Sequence, residues 1–558
     1  MSPSSSSFGR APWMAAALAL LVNLSALAQP ENKTLRWEDY WKTDLRIKHG
    51  RRWPMVSITM GGKRQLFVDN FVIEYMKDLT KTLHQPVKYE RNPVVPLSKP
   101  WEGEVTMGTV IREEDGRFRF WYFTAAGVCY AESKDGIHWE KPALRLHEWS
   151  GSADEARKFG LAVPPGAKEY RTRDNNIVLN RAGGDVPNII KDPFEKDPQK
   201  RYKMFIKYNE PVYGMYVGYS PDGLQWTFRK EPVLTTANDA GLNDRPTMFL
   251  DTENRRYIAS LKREMPNPFG TGDYAMLQRC RTTSVSTDFE RWSDPVLALT
   301  PDDQDPPGMQ IYGLVGFNYE SMYLGLMDIF WSQITGPMHG ALDIQLALSR
   351  DGVTWWRAGN RKTFIPVGPD GKWDQIRLHP CSNPPILMGD ELWFYYRGKA
   401  GRHFTVPENR RGFPWFAPGV PDDGPLDPGE VTYSVGLAKL RRDGFVSLDA
   451  GARPGMLMTR PLVFTGEKLH VNFDTKNGRM RAAVYVADFV PGTRYPFSNW
   501  TITNPAPGFT LEDCTPIREN TLDGILQWKG GSLKQFEGKK LVVLFELVQS
   551  SFYSFWID

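Results

Sequence analysis

The sequence has few of the residues that build metal sites and disulfide frameworks. Only 4 of its 558 residues are cysteine and 8 are histidine. The cysteines are far apart and form no C-x-x-C pair, so they match neither a zinc-binding pattern nor a disulfide scaffold. No metal site and no cofactor is predicted. Buried free thiols are the expected state of Cys129, Cys280, Cys381 and Cys514.

Net charge and long hydrophobic runs are also scarce. The formal net charge at pH 7 is +4, which is small for this length and argues against nucleic acid as the partner. Beyond the N-terminus, no run approaches the roughly 18 apolar residues that a membrane-spanning helix needs. The sequence therefore predicts neither nucleic acid nor a membrane as a partner, and it leaves the oligomeric state open.

The first residues are typical of a signal peptide. Arg10 provides a positive charge, residues 14–27 form a short apolar stretch, and Ala26-Leu27-Ala28 is a small-x-small cleavage pattern. We expect a signal peptide over residues 1–28 and a mature protein that is secreted or periplasmic. A disordered or anchored N-terminus is the alternative.

An internal repeat is the strongest structural signal. Four segments share a serine, an aspartate two residues later and a tryptophan four residues beyond the aspartate. The four segments are Ser133–Trp139, Ser220–Trp226, Ser286–Trp292 and Ser349–Trp355. A degenerate fifth copy is Arg442-Asp443-Gly444-Phe445, and the five aspartates are 87, 66, 63 and 92 residues apart. This spacing suits four-stranded blades, so the sequence predicts an all-β fold with a five-bladed β-propeller over residues 63–452.

The chemistry of the repeat predicts a structural role. Aspartate can cap the backbone amides of a tight turn, and the glycine that follows it in most copies tolerates positive φ angles. The tryptophan is expected to fill the space between neighbouring sheets. Structural roles are therefore predicted for Asp135, Asp222, Asp288 and Asp351.

The chain on either side of the repeats has a different pattern. After a cluster of breaker residues at 451–455, short alternating segments separated by turn residues predict a C-terminal β-sandwich over residues 453–558. Residues 29–62 are predicted to form an N-terminal extension. Helical periodicity is weak, and only residues 35–47 and 153–161 are expected to form helices.

Two long inserts interrupt the repeats. Residues 143–172 follow the first blade, and the Pro/Gly-rich residues 399–430 interrupt the fifth. Long loops on a rigid scaffold are where ligands usually bind. The inserts are therefore candidate binding segments, and a structural cation in the central channel is left open.

Three aspartates are candidates for catalysis. Cleavage of a glycosidic bond needs two carboxyl groups, one that donates a proton and one that acts as nucleophile or base. Asp69, Asp192 and Asp244 each begin or end an apolar strand, and each belongs to a different predicted blade. We expect them to converge in the funnel of the propeller.

The motifs around these aspartates resemble those of the five-bladed glycoside hydrolases of families 32 and 43. Lys191-Asp192-Pro193 is similar to the Arg-Asp-Pro motif of family 32, and Asp244-Arg245-Pro246 is similar to its Glu-Cys-Pro motif. The resemblance implies that Asp69 is the nucleophile or base, Asp192 the transition-state stabiliser and Asp244 the acid. Residues 436–448 and 552–556 also resemble the propeller-to-sandwich junction and the sandwich of family 32.

The chain departs from family 32 in two places. The Trp-Met-Asn-Asp-Pro-Asn-Gly opening is absent, and aspartate in place of glutamate at 244 shortens the reach of the acid by about an ångström. The resemblance therefore implies a divergent relative of these families. Each aspartate also has a structural alternative, since Asp192 could open a turn, Asp244 could pair with an arginine and Asp69 could hold the N-terminal strand.

Further polar residues are expected to contact the sugar. Arginine, amide and aromatic side chains commonly surround a bound sugar ring. The candidates are Arg173, Asn175, Asn176, Asp328, Asp374, Arg377, His379 and His403. Turn formation by the two asparagines, packing of the histidines and a buried pair for Asp328 are the structural alternatives.

Together these features predict a secreted glycoside hydrolase that cleaves an oligo- or polysaccharide with carboxylates in the propeller funnel. A sialidase-like enzyme is one alternative, because the repeats resemble shortened Asp boxes. A glycoside phosphorylase or transglycosidase is another and would need a basic pocket, to which Arg173, Arg245 and Arg377 could contribute. The third is a carbohydrate-binding propeller without catalysis, because fold alone does not decide activity.

Overall fold

The computed structural model describes residues 51–52, 58–103, 105, 107–181, 183–236, 244–266, 277–306, 309–331, 340–401, 433–489, 499–502 and 504–558. These residues form a nearly all-β structure, as predicted. The described residues include one α-helix, α1 (Ala153–Lys158), which covers most of the predicted helix at 153–161. The predicted signal peptide and the predicted helix at 35–47 lie outside the described residues.

Six short strands come first among the described residues. They are β1 (Arg51–Arg52), β2 (Ile58–Met60), β3 (Gln65–Leu66), β4 (Ile73–Lys77), β5 (Leu79–Leu83) and β6 (Val87–Lys88). Only β6 joins the sheets built from the repeats, where it pairs with a strand of the last group.

Three antiparallel sheets follow, each with its first four strands in chain order. The first contains β7 (Gly108–Arg112), β8 (Phe118–Thr124), β9 (Gly127–Ser133) and β10 (Trp139–Glu140). The strands β11 (Trp149–Ser152) and β12 (Glu169–Thr172) then pair with each other, and β13 (Ile177–Leu179) pairs with β9 of the first sheet. The second contains β14 (Asn188–Lys191), β15 (Tyr202–Tyr208), β16 (Gly214–Ser220), β17 (Thr227–Phe228) and β18 (Leu234–Thr235). The third contains β19 (Thr247–Asp251), β20 (Arg256–Pro266), β21 (Leu277–Ser286) and β22 (Val296–Leu299).

Two further groups of strands are joined by one parallel residue pair, Leu342 with Arg377. The fourth group contains β23 (Met309–Tyr319), β24 (Met322–Trp331), β25 (Leu342–Ser349), β26 (Trp356–Arg357) and β27 (Thr363–Ile365). The fifth contains β28 (Arg377–Pro380), β29 (Ile386–Met388), β30 (Glu391–Lys399) and β31 (Ser434–Arg441), with β6 at its edge.

Neighbouring groups are connected by hydrogen bonds, which lie at or close to the first strand of each group except in the fourth, where the bond to the fifth group starts on β25. The bonds run from Ile189 N to Thr109 Oγ1 (3.0 Å), from Asn188 Nδ2 to the Pro246 carbonyl (3.1 Å), from Thr247 Oγ1 to the Leu314 carbonyl, from Leu342 N to the Ile376 carbonyl (3.0 Å) and from Ser382 N to the Gly108 carbonyl (2.7 Å). Each group therefore contacts the next, and the fifth contacts the first.

The repeated aspartates form the turns that the sequence predicts. Asp135 Oδ1 accepts hydrogen bonds from the backbone amides of Ile137 and His138, both at 2.8 Å. The indole of Trp139 donates to the Gly136 carbonyl at 3.1 Å. Equivalent bonds occur at Asp222, Asp288 and Asp351. The structural role predicted for these four aspartates is confirmed.

The remaining strands belong to the C-terminal part of the chain. They are β32 (Val446–Ala450), β33 (Gly455–Thr459), β34 (Leu462–Phe464), β35 (Leu469–Val486), β36 (Asp488–Phe489), β37 (Asn499–Thr501), β38 (Cys514–Thr515), β39 (Thr521–Trp528) and β40 (Leu541–Ile557). The long strands β35 and β40 pair along most of their length, and their inner faces pack in one apolar core with Phe509 and Phe536.

Strands from before the repeats join this C-terminal sheet. β2 pairs with β34, β3 with β40, β4 with β33 and β5 with β32. Residues 63–83, which lie within the predicted propeller range, therefore pair with C-terminal strands. Contacts between residues so distant in sequence leave no local pattern.

The chain divides into two compact units. One comprises residues 1–56 and 487–504, and in it β37 pairs with both β1 and β36. The other comprises residues 57–486 and 505–558 and contains all the other strands. All four cysteines lie in it as buried free thiols, as predicted.

Candidate functional site

The first strands of the second and third groups begin after the same short motif. Asp185-Val186-Pro187 precedes β14, and Asp244-Arg245-Pro246 precedes β19. Proline has no amide proton to donate, so it suits the first residues of a strand, where the ladder of hydrogen bonds begins. Each motif therefore places an aspartate at the N-terminal end of a first strand.

A single lysine brings these two aspartates together. Lys207, at the end of β15, has its Nζ atom 3.9 Å from Asp185 Oδ2 and 3.9 Å from Asp244 Oδ1. Those two oxygens are therefore separated by no more than twice that distance. The paired carboxyl groups of glycosidases lie about 5–5.5 Å apart in retaining enzymes and about 6.5–9.5 Å apart in inverting enzymes. The separation of Asp185 and Asp244 has an upper limit within the inverting range.

Asp244 is the more accessible of the two carboxylates. Its side chain is 46% exposed, compared with 20% for Asp185. The Lys262 ammonium lies 3.6 Å from Asp244 Oδ2, and the Tyr312 hydroxyl donates to the same oxygen at 3.3 Å. Burial by itself raises the pKa of Asp244, but Lys262, Lys207 and Arg279 reverse this effect, so the pKa lies below its usual value. Asp244 is therefore charged at neutral pH.

The backbone between these groups is strained. Arg245 has a φ angle of +66°, in the left-handed region, although it is neither glycine nor asparagine. The proline that follows it also disfavours this conformation. The Arg245 amide donates to Asp185 Oδ2 at 2.8 Å, which holds the turn. Strain of this kind concentrates at functional sites, where the surrounding structure maintains it.

The Arg245 side chain forms a buried ion pair below the two carboxylates. Its Nε atom donates to Asp328 Oδ2 at 2.8 Å, and both side chains are fully buried. Gly313 on β23 leaves room for the pair, because a Cβ atom there would lie 2.6 Å from Asp328 Oδ2 and 2.8 Å from Arg245 Cγ. Arg245 also donates to Ser382 Oγ at 3.2 Å, so the pair links the third, fourth and fifth groups of strands.

His379 completes this buried network. Its Nδ1 atom lies 2.9 Å from Asp328 Oδ2. Burial and the positive charge of Arg397 lower the pKa of His379 to about 3, although Asp328 opposes the shift. The ring is therefore neutral in ordinary buffers, with Nδ1 donating to Asp328 and Nε2 available as an acceptor. Burial raises the pKa of Asp328, but Arg245 and His379 outweigh it, so this carboxyl group is ionised.

Two arginines of β21 surround Tyr312. Arg281 is fully buried and donates to the Tyr312 carbonyl at 3.0 Å and to the Arg245 carbonyl at 2.9 Å. Arg279 donates to Gln310 Oε1 at 2.5 Å, and its guanidinium lies 5.3 Å from the centre of the Tyr312 ring. These contacts position the tyrosine hydroxyl against Asp244.

Three cations of the fifth group surround one buried tyrosine. Arg397 lies 3.6 Å from the centre of the Tyr433 ring, Lys399 lies at 4.4 Å and Arg377 at 5.0 Å. Arg397 is the residue opposite His379 in the pairing of β28 with β30. The basic cluster of Arg377, Arg397 and Lys399 is therefore next to the buried network of Asp328 and His379.

Asp192 lies away from this site. Its carboxylate is bound by Lys203 Nζ and by the Tyr257 hydroxyl, each at 2.5 Å, and the residue is only 5% exposed. Lys203 and Lys207 are four residues apart on β15, which corresponds to about 13 Å. Because Lys207 contacts Asp244, the two aspartates lie at opposite ends of the second group of strands.

Asp69 also lies elsewhere. Arg350 binds both of its carboxylate oxygens, at 2.8 and 2.9 Å. Arg350 follows Ser349, which pairs with Tyr323, five residues and so about 17 Å along β24 from Asp328. Asp69 lines a separate groove of about 710 Å³ on that side. The expectation that the three predicted catalytic aspartates converge is therefore wrong, because Asp192 follows its strand, Asp244 precedes its strand and Asp69 lies in a separate groove; their individual roles remain predictions.

The two predicted asparagines are buried in structural hydrogen bonds. Asn176 accepts from the indole of Trp101 at 2.7 Å and donates to the Tyr122 hydroxyl at 2.9 Å. Asn175 donates to the His147 carbonyl and accepts from the Ile177 amide. Arg173 is exposed at the surface beside them. These three residues are not brought to the Asp244 site.

The other predicted binding residues lie in different parts of the structure. Asp328 and His379 belong to the buried network, and Arg377 belongs to the basic cluster. Asp374 is bound by Lys88 at 2.6 Å and by the Tyr396 hydroxyl at 2.9 Å, in a buried pair within the fifth group. His403 lies outside the described residues.

Several residues of the site were not predicted from the sequence. They are Asp185, Lys207, Lys262, Arg279, Tyr312 and Arg397. The shared Asp-x-Pro motif before β14 and β19 is a signal that would have identified Asp185. The remaining residues lie within the strands of their groups, where nothing local distinguishes them from other residues of a buried strand.

Comparison with known proteins adds structural neighbours only. No family model and no curated protein matches the chain. Similar solved structures include an N-acetylgalactosamine deacetylase from F. plautii in complex with blood group B trisaccharide (14% identity, 65% of this chain and 96% of that chain, TM-score 0.40) and a thermostable family-43 glycoside hydrolase (15% identity, 64% and 95%, TM-score 0.38). A third comes from the GH130 family of mannoside phosphorylases, which contains glycoside hydrolases (13% identity, 66% and 96%, TM-score 0.39).

These neighbours include glycoside hydrolases of the kind that the sequence resembles, at low sequence identity. Identities of this size and TM-scores below 0.5 carry no argument about the substrate or the catalytic residues. The function must therefore be inferred from the geometry of the chain itself.

Two further observations concern the described residues as a whole. Within those ranges, no group of three or more histidine, cysteine, aspartate or glutamate side chains is placed to hold a metal ion. In the same part of the chain, no helix is both long and apolar enough to span a bilayer.

Proposed function

We propose that this protein is a glycoside hydrolase that cleaves an oligo- or polysaccharide. Asp185 and Asp244 provide its two catalytic carboxyl groups. The observation that supports this is the shared contact of both carboxylates with the Lys207 ammonium, which limits their separation to no more than the span found in inverting glycosidases. We also propose that the protein is exported after removal of residues 1–28, on the sequence pattern alone.

The scaffold that we propose is a closed five-bladed propeller with a C-terminal β-sandwich. The contacts of each group with the next, and of the fifth with the first, support the ring. The long β35–β40 pair and its apolar core support the sandwich. In a propeller, the N-terminal ends of the first strands surround one mouth of the channel, where Asp185 and Asp244 would meet a polysaccharide.

Asp244 has the properties of the nucleophile or base in this proposal. It is half-exposed, it is charged at neutral pH and it accepts a hydrogen bond from Tyr312. Lys207 and Lys262 keep it ionised while an oxocarbenium-like transition state develops positive charge nearby. Asp185 is the second carboxyl group, and its hydrogen bond from the Arg245 amide fixes its orientation.

The test is product release from a panel of plant and algal glycans, measured by chromatography with the wild-type protein and with Asp185→Asn and Asp244→Asn. We expect each substitution to lower turnover at least about a hundredfold, because general acid–base catalysis alone contributes about 10²–10⁴. Glu391→Gln is the matched control, since Glu391 is 49% exposed and pairs with Lys439 at 3.7 Å, much as Asp244 pairs with Lys262.

A fourth variant, Asp192→Asn, separates this site from the one that the resemblance implies. We expect it to lower stability, because it removes one of the two carboxylates that pair with buried Lys203, but to keep turnover per folded molecule. Turnover that survives both Asp185→Asn and Asp244→Asn but is lost with Asp192→Asn would contradict the proposed site and support the implied one. Glycan binding without product release would favour a non-catalytic propeller.

A further inference from the structure

Arg397 is a buried cation without an anionic partner among the described residues. The residue is 7% exposed, and its Nε atom is buried without a hydrogen-bond acceptor. In the described part of the chain, no residue forms a hydrogen bond or an ion pair with its guanidinium, which stacks on the Tyr433 ring at 3.6 Å. Burying an unpaired charge is costly, so such groups are ordinarily paired.

The guanidinium is stacked by its face, and its N–H edge has no acceptor among the described residues. An arginine carries five N–H donors in the plane of the group, and stacking covers only its face. The planar fork of donors matches the two oxygens of a carboxylate or sulfate group. Tyr433 therefore orients Arg397 for an oxyanion without supplying one.

Neighbouring residues add to the positive charge. Lys399 and Arg377 lie 4.4 and 5.0 Å from the centre of the same tyrosine ring. Arg279, beside the Tyr312 ring, also has a buried Nε atom without an acceptor among the described residues. By contrast, the carboxylates Asp244 and Asp328 are already held by Lys262 and Arg245 at their own positions.

The basic cluster is close to Asp244 but not in contact with it. The Asp244 carboxylate is bound by the Tyr312 hydroxyl, and the Tyr312 and His379 rings are 5.7 Å apart between centres. His379 lies opposite Arg397 on the neighbouring strand. An oxyanion bound to Arg397 would therefore sit beside the reacting bond, at the distance of a ring substituent or a neighbouring sugar.

We propose that Arg397, with Arg377 and Lys399, is a subsite for an oxyanion carried by the saccharide itself, the carboxylate of a uronic acid or a sulfate ester. The substrate class is therefore an acidic glycan. This inference rests on the proposed function, because it assigns the specificity of the same site.

The experiment uses the full-length mature protein and pairs of oligosaccharides that differ only in charge. Uronic-acid oligosaccharides are compared with their carboxyl-reduced forms, and sulfated oligosaccharides with their desulfated forms. Binding is measured by calorimetry and turnover by chromatography, with and without inorganic phosphate. The variants are Arg397→Gln and Arg397→Lys, and Arg453→Gln at an exposed turn is the control for loss of one surface charge.

We expect a tenfold to hundredfold weaker affinity of Arg397→Gln for the acidic member of one pair, because hydrogen bonds to charged groups contribute about that much. Affinity for the neutral member should stay within twofold of wild type. Arg397→Lys should recover part of the loss, since it keeps the charge but not the fork. The melting temperature of Arg397→Gln should not fall, because removing a buried charge that has no anionic partner among the described residues offsets the lost stacking on Tyr433. Loss of affinity for the uronic-acid oligosaccharide would identify the anion as a carboxylate, and loss of affinity for the sulfated oligosaccharide would identify it as a sulfate.

Three outcomes would overturn the inference. If only neutral glycans are bound and Arg397→Gln leaves their binding unchanged, the subsite is wrong while the proposed function stands. If turnover requires inorganic phosphate and Arg397→Gln raises its KM, the oxyanion is free phosphate and not part of the saccharide. If no glycan of either kind is bound or cleaved, the proposed function itself fails.

Discussion

At the scale of single residues, burial and pairing decide the chemistry of each carboxyl group. Asp244 and Asp192 are both aspartates next to a proline or a proline-containing turn, but Asp192 is locked against Lys203 and Tyr257 while Asp244 stays half-exposed. Because their local motifs are alike, the sequence predicts catalysis for both. Only the position of each at one end or the other of its strand separates them.

Asp343 provides a prediction at this scale. It is buried on β25, where it accepts hydrogen bonds from the Trp331 indole and the Thr363 hydroxyl. Burial raises its pKa from 3.8 to about 6. A raised pKa in the folded state favours folding below the unfolded value, and this contribution is lost as the pH rises through the folded value. The group therefore destabilises the protein above about pH 6.

We expect the difference in unfolding free energy between wild type and Asp343→Asn to change by about 3 kcal/mol between about pH 3 and pH 7, with the wild type becoming less stable relative to the variant as the pH rises. Above about pH 7 the difference should be constant. Urea unfolding of both proteins across this range measures it, and taking the difference removes the contributions of the other carboxylates. A difference that does not vary with pH would show that Asp343 is not held protonated.

At the scale of elements, the repeated turns depend on close contacts that extend between sheets. Gly136 has a φ angle of +76°, and a Cβ atom there would lie 2.6 Å from the Tyr395 hydroxyl and 3.0 Å from the Phe118 ring. The Tyr395 hydroxyl donates to the Gly136 carbonyl at 2.7 Å. The turn of the first group is therefore fitted against the fifth group as well as against its own strands.

We expect Gly136→Ala to destabilise the protein by about 2–4 kcal/mol, from left-handed backbone strain together with overpacking. Gly116→Ala is the matched control, because Gly116 has a φ angle of +87° but no described atom lies within 4 Å of the position that its Cβ atom would take. The control should cost about 1–2 kcal/mol, from the backbone strain alone. Equal losses in denaturant unfolding would mean that the contact between the first and fifth groups contributes nothing.

The elements also show the limit of sequence reasoning. The Ser-x-Asp-x-x-x-Trp turns were predicted correctly, since their hydrogen bonds join residues within six positions of one another. The pairing of β2 to β5 with C-terminal strands was not predicted, because those contacts join residues almost 500 positions apart at the extremes. The site shares this property, since Lys207, Asp244 and Tyr312 come from three separate elements.

At the scale of the whole chain, Asp443 connects the fifth group to the C-terminal sheet. This aspartate of the degenerate repeat is fully buried and binds Arg64 at 2.9 Å, the Tyr319 hydroxyl at 2.8 Å and Ser554 Oγ at 2.6 Å. The other repeat aspartates cap their own turns. Asp443 instead binds side chains that are far apart in the sequence, including Arg64 and Ser554.

We expect Asp443→Ala to destabilise the protein by about 3–5 kcal/mol, because it removes the nearer of the two carboxylates that pair with the buried Arg64 charge. Asp351→Ala, which removes only a local turn cap, should cost about 1 kcal/mol. Thermal and urea unfolding compare the two. A smaller loss for Asp443→Ala than for Asp351→Ala would contradict the connecting role of Asp443.

The all-β character, the repeated turns, the buried free thiols and the presence of Asp244 at the beginning of a strand all follow from the amino-acid sequence. Each depends on residue type, on period-two patterning or on hydrogen bonds between close neighbours. All three can be recognised in short stretches of sequence. Tertiary structure alone decided which carboxylates meet, because Asp185 and Asp244 are 59 residues apart and are joined by a lysine from a third segment. It also decided that Arg397 is buried without an anion among the described residues, since burial and the lack of an acceptor depend on every element that surrounds a side chain.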